Sequence, residues 1–510
     1  MSNRIPTPES RSGAGQLTPA CLRLSFSKGM HCLYRATALI LLLSIGAGCA
    51  SKQRPLASEA AATRIPEDRM EVSLEAIPDY DALWVRDFDD PRLISLIETT
   101  LQKNPDVAAA AAQLRAAVAI TRIVGADRLP QVSAQAGGNR GRTVNKIDFP
   151  GVGETIQTDT NSRFELGLNM SWEIDLWGRL ADARQAALFD QEASAARFAG
   201  TRLALSTSVA RAWFQATARM LQVKIAEKQL EVAEKSLRAT EDRVNRGLLG
   251  SLELSLARSQ VEGSKAVLGN RTRDQRNAYR LVQALSGAFP DGDFTPAAEL
   301  PLLIDPPPAA LPSEMLARRP DLIAASLNIS AADSRVSEAE KSLIPSLSLS
   351  GNYGTASDDL SDLLDSNFTV WNLAGNLLQP LFQGGRLRAQ VDQREALLSA
   401  AISDFESTLI TALREVEDAL DSDAYLREAA TRAESSARLA QEAATVGFGR
   451  YERGLIGLLD VLELQNRAFE AYTEAINLRL TSLLNRIDLY AALGGGFTSQ
   501  VPTVETLSQK

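Results

Sequence analysis

The sequence predicts a mixed α and β membrane protein in which a β-β-α-α unit occurs twice. Three observations lead there. From Phe164 to Arg179 the chain reads FELGLNMSWEIDLWGR: Phe164, Leu166, Leu168, Met170, Trp172, Ile174 and Leu176 are apolar, and Glu165, Gly167, Asn169, Ser171, Glu173 and Asp175 between them are polar or small. That is a β-strand with one oily and one wet face, long enough to cross a bilayer at a barrel's tilt. After Gly178 the apolar period changes to 3.5, with Val209, Ala216, Val223, Leu230, Leu237 and Val244 spaced by seven. Such spacing marks long helices packed on one another in a left-handed supercoil. Finally, landmarks recur in order: Asn104-Pro105-Asp106 returns as Arg319-Pro320-Asp321, Gly178-Arg179-Leu180 as Gly385-Arg386-Leu387, and Arg246-Gly247-Leu248 as Arg453-Gly454-Leu455.

In chain order, residues 1–48 form a signal region. Ala38 to Ile45 is a short apolar run behind Arg35, and Gly46-Ala47-Gly48-Cys49 follows it. The run is too short to span a bilayer. Small residues directly before a cysteine resemble a bacterial lipoprotein signal, which implies that Cys49 is lipidated and that Ala50 after it carries no inner-membrane retention signal; Gly46 stands where leucine is usual. Residues 1–29 are polar and rich in Pro, Ser and Gly, so Met30 is an alternative start. An extended segment (49–91) leads to Asp90-Pro91. A helix from Arg92 is interrupted at Asn104-Pro105, and a second runs from Asp106 to about Arg128.

Repeat 1 (92–290) then holds strands at about 130–138 and 161–177, with Gly137 to Asn161 expected to be an exposed loop because it is Gly-, Asn- and Thr-rich without an apolar period. Its long helices are expected at about 179–246 and 251–286, turning at Gly247 to Ser251. At 1.5 Å per residue the first rod is on the order of 100 Å long, far longer than a bilayer is thick. A Pro-rich linker (291–311) precedes repeat 2 (312–496), with strands at about 345–355 and 367–382 and helices at about 386–450 and 456–492, and a tail (497–510) closes the chain. The prolines are displaced by 215 (105 to 320, 130 to 345), and the helix landmarks by 207 (178 to 385, 247 to 454). A constant shift across each rod means rods of equal length.

Bulk composition limits the function classes. The 510 residues carry a net charge of -9 and show no basic patch, which argues against a nucleic-acid partner. The single His31 and all three cysteines (Cys21, Cys32, Cys49) lie in the first tenth of the chain. Everything later therefore lacks Ser-His-Asp and Cys-His catalysis, Zn–thiolate sites and internal disulfides. No enzyme activity, metal site or cofactor is expected beyond a covalent lipid on Cys49. A carboxylate-only enzyme survives the composition test, and Glu173 with Asp175 is its one candidate pair, without a pocket signature.

Four membrane strands cannot close a barrel, and an open edge cannot sit in lipid. Several chains must pool strands and rods alike, giving a β-barrel continued by a helical cylinder. Trp172 and Trp177, at the end of the oily face, are aromatic-girdle candidates. A lipid-anchored periplasmic coiled-coil scaffold without a pore is the alternative. It accounts for the heptads but not for the oily alternation.

Asp90-Pro91-Arg92-Leu93, Asn104-Pro105-Asp106, Trp172-Glu173-Ile174-Asp175-Leu176-Trp177-Gly178, Gln379-Pro380-Leu381-Phe382-Gln383-Gly384-Gly385 and Arg453-Gly454-Leu455 with Asp460-Val461-Leu462 resemble the outer-membrane factor (TolC-like) family, in its NodT-type lipoprotein branch. The resemblance implies a homotrimer with a twelve-stranded barrel and a coiled-coil tunnel. It further implies an exit duct in the outer membrane, working passively with a periplasmic adaptor and an inner-membrane pump of RND type and favouring small-molecule cargo.

It also implies site residues. The helix tips would be the gate, with Asp460 and Glu463 six and nine residues after Gly454, Glu253 six after Gly247, and Tyr451 three before Gly454. Rings of carboxylates repel one another and select cations. Asp460 and Glu463 equally suit the ordinary role of acids at a helix start. An arginine that helps hold the family's closed tip is Ile456 here. Gly247, Leu248, Ser251, Gly454 and Leu455 are the adaptor-docking candidates, although glycine at a turn needs no partner to explain it. Glu227, Glu234 and Glu241, spaced by seven, read as tunnel lining or as a solvated coil face.

Overall fold

The computed structural model describes residues 84–149, 153–303 and 318–495, with backbone only at 147–149 and 153–155. The signal region, Cys49, the rest of the N-terminal segment, residues 304–317 and the tail lie outside the described residues.

Trp84–Phe88 forms a 3-10 turn ahead of helix α1 (Pro91–Lys103). Asp90 caps α1, its carboxylate accepting from Arg92 N at 3.0 Å and Leu93 N at 3.3 Å, and Pro91 fits the first turn, where no amide bond is lost. The same device opens α2 (Pro105–Ala126): Asn104 accepts from Asp106 N at 2.7 Å. By composition α2 holds an 18-residue window apolar enough to cross a membrane, and so does the long helix of repeat 2. Alanine supplies much of the α2 window, and α2 lies along α3 (Arg179–Asn245).

Strands β1 (Gln131–Phe149), β2 (Gly153–Ile174), β3 (Ser346–Ser357) and β4 (Thr369–Leu378) form one antiparallel sheet in chain order, leaving β1 and β4 at its edges. The expected loop from Gly137 to Asn161 is corrected here: 137–149 and 153–161 are strand, paired without a break from Gly138–Phe164 to Phe149–Gly153. Backbone bonds hold that part of the hairpin, so burial imprints no apolar period on it. The second strand stops at Ile174 rather than 177, and the fourth covers 369–378 rather than 367–382, ending before Pro380.

In repeat 1, α3 and α4 (Ser251–Leu285) follow the hairpin; in repeat 2, α5 (Pro320–Lys341) precedes its hairpin and α6 (Arg386–Glu452) and α7 (Leu458–Ala492) follow it. The repeat is therefore α-β-β-α-α. Its helices match residue for residue: α2 and α5 have 22, α3 and α6 have 67, α4 and α7 have 35. The two displacements, 215 before the hairpins and 207 after them, leave eight extra residues in the β1–β2 hairpin.

The largest core lies where α1, α3 and α7 meet the N-terminal turn. Trp84, Val85 and Phe88 pack there against Val209, Trp213, Phe214, Ile487 and Tyr490. Trp213 Nε1 donates to Asp90 at 2.9 Å, so the α1 cap is also pinned to α3. The start of the expected linker belongs to this region too: Phe294 stacks edge-on against Trp213 and Tyr279, and Leu300 is buried. Between α6 and α7, Arg486 and Asp423 form an ion pair with both side chains 1% exposed.

Candidate functional site

The sheet register sorts side chains by chemistry. On one face Val132, Ala134 and Ala136 of β1 sit beside Met170, Leu168 and Leu166 of β2; Leu349 and Tyr353 of β3 sit beside Trp172 and Leu168, and Trp371, Leu373 and Leu377 of β4 continue the row. Leu168, Tyr353, Trp371 and Leu377 are all more than 40% exposed, so this band has no cover among the described residues. The opposite face carries Gln131, Ser133, Gln135, Glu165, Asn169, Ser171, Glu173, Ser348, Ser350, Asn352, Asn372 and Asn376, although on β4 Val370, Ala374 and Leu378 share it with the two asparagines. An apolar band on one side and a hydrogen-bonding surface on the other is the wall of a water-filled barrel.

Trp172 and Trp177 stand at the end of the sheet that joins the helices. Their indoles donate to the carbonyls of Arg128 at 2.9 Å and Pro345 at 2.7 Å, which fixes both rings at the rim. The paired Tyr353 and Trp371 are aromatic surface that the strand alternation alone did not single out. At the joint, Glu173 takes two bonds from Arg179, at 2.8 and 2.9 Å. Asp175 accepts from Leu180 N and Ala181 N, filling the orphan amides of α3, while Gly178 turns the chain at φ 78°. The carboxylate pair considered for catalysis thus holds the strand-to-helix joint together.

The far ends of the rods form the tips. Gly247 (φ 73°) and Gly454 (φ 75°) end α3 and α6 in the left-handed region, with Leu248 N bonded to Arg243 O at 2.9 Å and Leu455 N to Arg450 O at 3.0 Å. This is the Schellman closure that glycine permits. The next helices start on the acids flagged as gate candidates. Glu253 accepts from Gly250 N at 3.1 Å and Asp460 from Gly457 N at 3.0 Å, so each acid closes onto the N-cap amide of its own helix, the acid half of a capping box, within the protomer. Glu463, one turn on, is exposed, as are Leu248, Ser251 and Leu455 in the turns.

Tyr451 is fully buried at the tip and ties the repeats together. Its hydroxyl lies 2.8 Å from Thr240 Oγ1 of α3, and its carbonyl accepts from Arg243 Nη1 at 2.8 Å while that guanidinium lies 4.9 Å from its ring centre. Arg243 was not singled out in the sequence. Its signal was its place near the end of α3, where a cation meets carbonyls. Ile456 packs with Phe448, Tyr451 and Leu462 in the tip core, so an apolar contact stands where the resemblance implied an arginine. Of the three glutamates spaced by seven, Glu241 meets Arg258 of α4 at 3.4 Å and Glu234 meets Arg238 at 4.0 Å, contacts of a solvated coil face.

Comparison with known proteins agrees with this geometry. The sequence profile of the outer membrane efflux protein family matches residues 96–288 and 311–495. The pyoverdine export outer membrane protein OpmQ of Pseudomonas aeruginosa is 32% identical over 419 residues, covering 82% of this chain and 88% of the relative. The toluene efflux pump outer membrane protein TtgC of Pseudomonas putida is 30% identical, covering 82% and 86%. Among solved structures, the open state of the Neisseria gonorrhoeae MtrE outer membrane channel superposes with a TM-score of 0.73 at 29% identity, covering 84% of this chain and 94% of that one. A two-faced membrane sheet joined to paired rods, matched over both repeats, has one reading: the chain belongs to the outer membrane efflux protein family.

Proposed function

We propose that three copies of this chain assemble into an outer-membrane exit duct, a twelve-stranded barrel continued by a helical tunnel, with Cys49 lipidated as a further anchor. The duct passes small organic molecules from an inner-membrane pump of RND type, through a periplasmic adaptor, to the outside. The observation that carries this reading is the four-stranded sheet, apolar on one face, polar on the other and unpaired at β1 and β4. Edges of that kind are tolerated in lipid only when neighbouring copies close them. Exposed Leu397, Tyr425, Leu439 and Val446 on α6, at multiples of seven, supply a matching helical seam for a neighbour.

The tips gate the duct. Three copies would bring Asp460 and Glu463 into rings, and an acidic ring favours cations. Asp460 then serves twice, as cap and as gate charge. Leu248 and Leu455, 63% and 67% exposed at the turns, present apolar contacts for the adaptor. The test is conductance of the purified oligomer in planar bilayers. Small cation-preferring currents are expected, with a weaker cation preference in Asp460→Asn. Well-folded oligomer that never conducts would overturn the duct. Unchanged selectivity in Asp460→Asn would remove that residue from the gate.

A further inference from the structure

The β1–β2 hairpin continues past the apolar band, and its charges are sorted by face. On β1, Arg140, Arg142 and Lys146 follow Ala134, Ala136 and Gly138 on the lipid-side face, while Asn139, Gly141, Thr143 and Asn145 face the other way. On β2 the pattern inverts. Asp159, Arg163, Glu165 and Glu173 lie on the wet face, and Ile156, Thr158, Thr160 and Ser162 lie on the lipid side. The charged side chains on the lipid-side face over 140–146 are therefore all cations, with Val144 between Arg142 and Lys146.

Position identifies what meets these cations. The continuous apolar band ends at the Gly138–Phe164 pair, with only Val144 and Ile156 as apolar side chains farther out on this face among those described, and Arg140 and Arg142 lie two and four residues beyond its end. At about 3.4 Å per residue these are steps of roughly 7 and 14 Å along the strand. At a barrel tilt of about 40° they become heights of roughly 5 and 10 Å. The polar headgroup region begins at the hydrocarbon edge and is on the order of 5–8 Å thick on each side. Both arginines thus stand at headgroup level or just above it, at the end of the sheet away from the helices. They are exposed, and neither pairs with an acid among the described residues. The acids of the β3–β4 connection are engaged locally: Asp359 and Asp365 cap 3-10 turns, and Asp362 accepts from Ser357.

We propose that Arg140 and Arg142 form a clamp for the phosphates of outer-leaflet lipid headgroups. Guanidinium matches phosphate with two parallel bonds, and arginine keeps its charge at any physiological pH. One strand presents the pair side by side, next to the surface that already faces lipid. The clamp fixes the depth of the barrel and gives it a shell of anionic lipid.

The test uses the full oligomer in detergent, with labelled bisphosphorylated lipid A as probe and dephosphorylated lipid A and inorganic phosphate as the other arms. Tighter binding of the phosphorylated lipid is expected. Arg140→Gln with Arg142→Gln should weaken it about 25-fold, roughly fivefold per arginine, and Arg140→Lys with Arg142→Lys should recover most of the loss. Lys146→Gln, farther from the band, should change binding less than twofold. Conductance of the Gln variant should match wild type, which separates this result from the fate of the duct itself. Equal binding by wild type and the Gln variant would overturn the clamp. So would equal binding of the dephosphorylated lipid, or full displacement by millimolar phosphate.

Discussion

Removing the Tyr451 hydroxyl tests whether the tip bond between the repeats helps hold the duct closed. Thr240 donates its own proton to Ser236 O at 2.8 Å, so the tyrosine must be the donor in the 2.8 Å contact with Thr240 Oγ1. In Tyr451→Phe the threonine keeps its donor bond and loses only an incoming one. The ring, its packing and the Arg243 bond to the Tyr451 carbonyl all remain. The cost is therefore one neutral hydrogen bond, about 1 kcal/mol. If α3 and α6 part at the tip on opening, the open-to-closed ratio should rise about fivefold. Single-channel recording of open probability reads this directly, and Thr240→Val, which leaves the buried tyrosine donor without its acceptor, should shift it in the same direction and at least as far. Open probabilities within twofold of wild type in both variants, with oligomer stability unchanged, would refute the reasoning and place the bond inside a unit that moves as one.

Three further outcomes follow from contacts elsewhere. A Cβ at Gly354 would lie 2.2 Å from Leu166 O and 2.5 Å from Gly167 Cα; Gly354→Ala should force β2 and β3 apart and abolish oligomer recovery from the membrane, as seen on a gel of unheated samples. Asp423→Ala leaves the buried Arg486 guanidinium without its main counter-charge, and should lower unfolding stability by about 3–5 kcal/mol in denaturant melts, whereas Asp423→Leu with Arg486→Met should cost less. Burial would raise the pKa of Asp321, but the hydrogen bond and charge of Arg319, 2.7 Å away, outweigh it and hold the carboxyl below its ordinary value. A depressed folded-state pKa contributes stability above the unfolded value of about 3.9 and loses it as pH falls through the folded one. Asp321→Asn should thus be less stable than wild type at pH 7, and the two melting curves should converge as the pH falls through the lowered folded-state pKa.

Much of this was legible because the same residue pattern did two jobs. Alternation from Phe164 to Ile174 both makes a strand and divides lipid from water, so fold and function could be read together. The outer half of the hairpin reads as loop because Val144 and Ile156, the apolar residues on its lipid-side face, are too widely spaced among Gly, Asn, Thr and charged residues to show a period of two. A fainter signal was present in the even-numbered Arg140, Arg142 and Lys146 against the odd-numbered Asp159, Arg163 and Glu165. At the tips, the charge of Glu253 and Asp460 is plain in the sequence, while their spacing of three from Gly250 and Gly457, which lets each carboxylate reach the N-cap amide, is a local signal that carries no mark of its own. Arg243 and Thr240 could not be matched to Tyr451 from spacing alone, since more than 200 residues separate them and only the docking of the two repeats brings them together.

The equal helices make the two halves of the chain unequally editable. One residue inserted into α3 alone would carry everything beyond it forward by about 1.5 Å and around by about 100°. Leu237 and Thr240 would swing away from the tip core, and the turn at Gly247 would no longer sit level with its counterpart at Gly454. A length change in the rods is tolerable only when it arrives in both at once. The hairpins carry no such bond, since the first already exceeds the second by eight residues while every helix length has stayed in step. Tags, epitopes and reporter peptides therefore belong at the outer end of β1–β2, and the tunnel is the part of the molecule whose length a graft must leave alone.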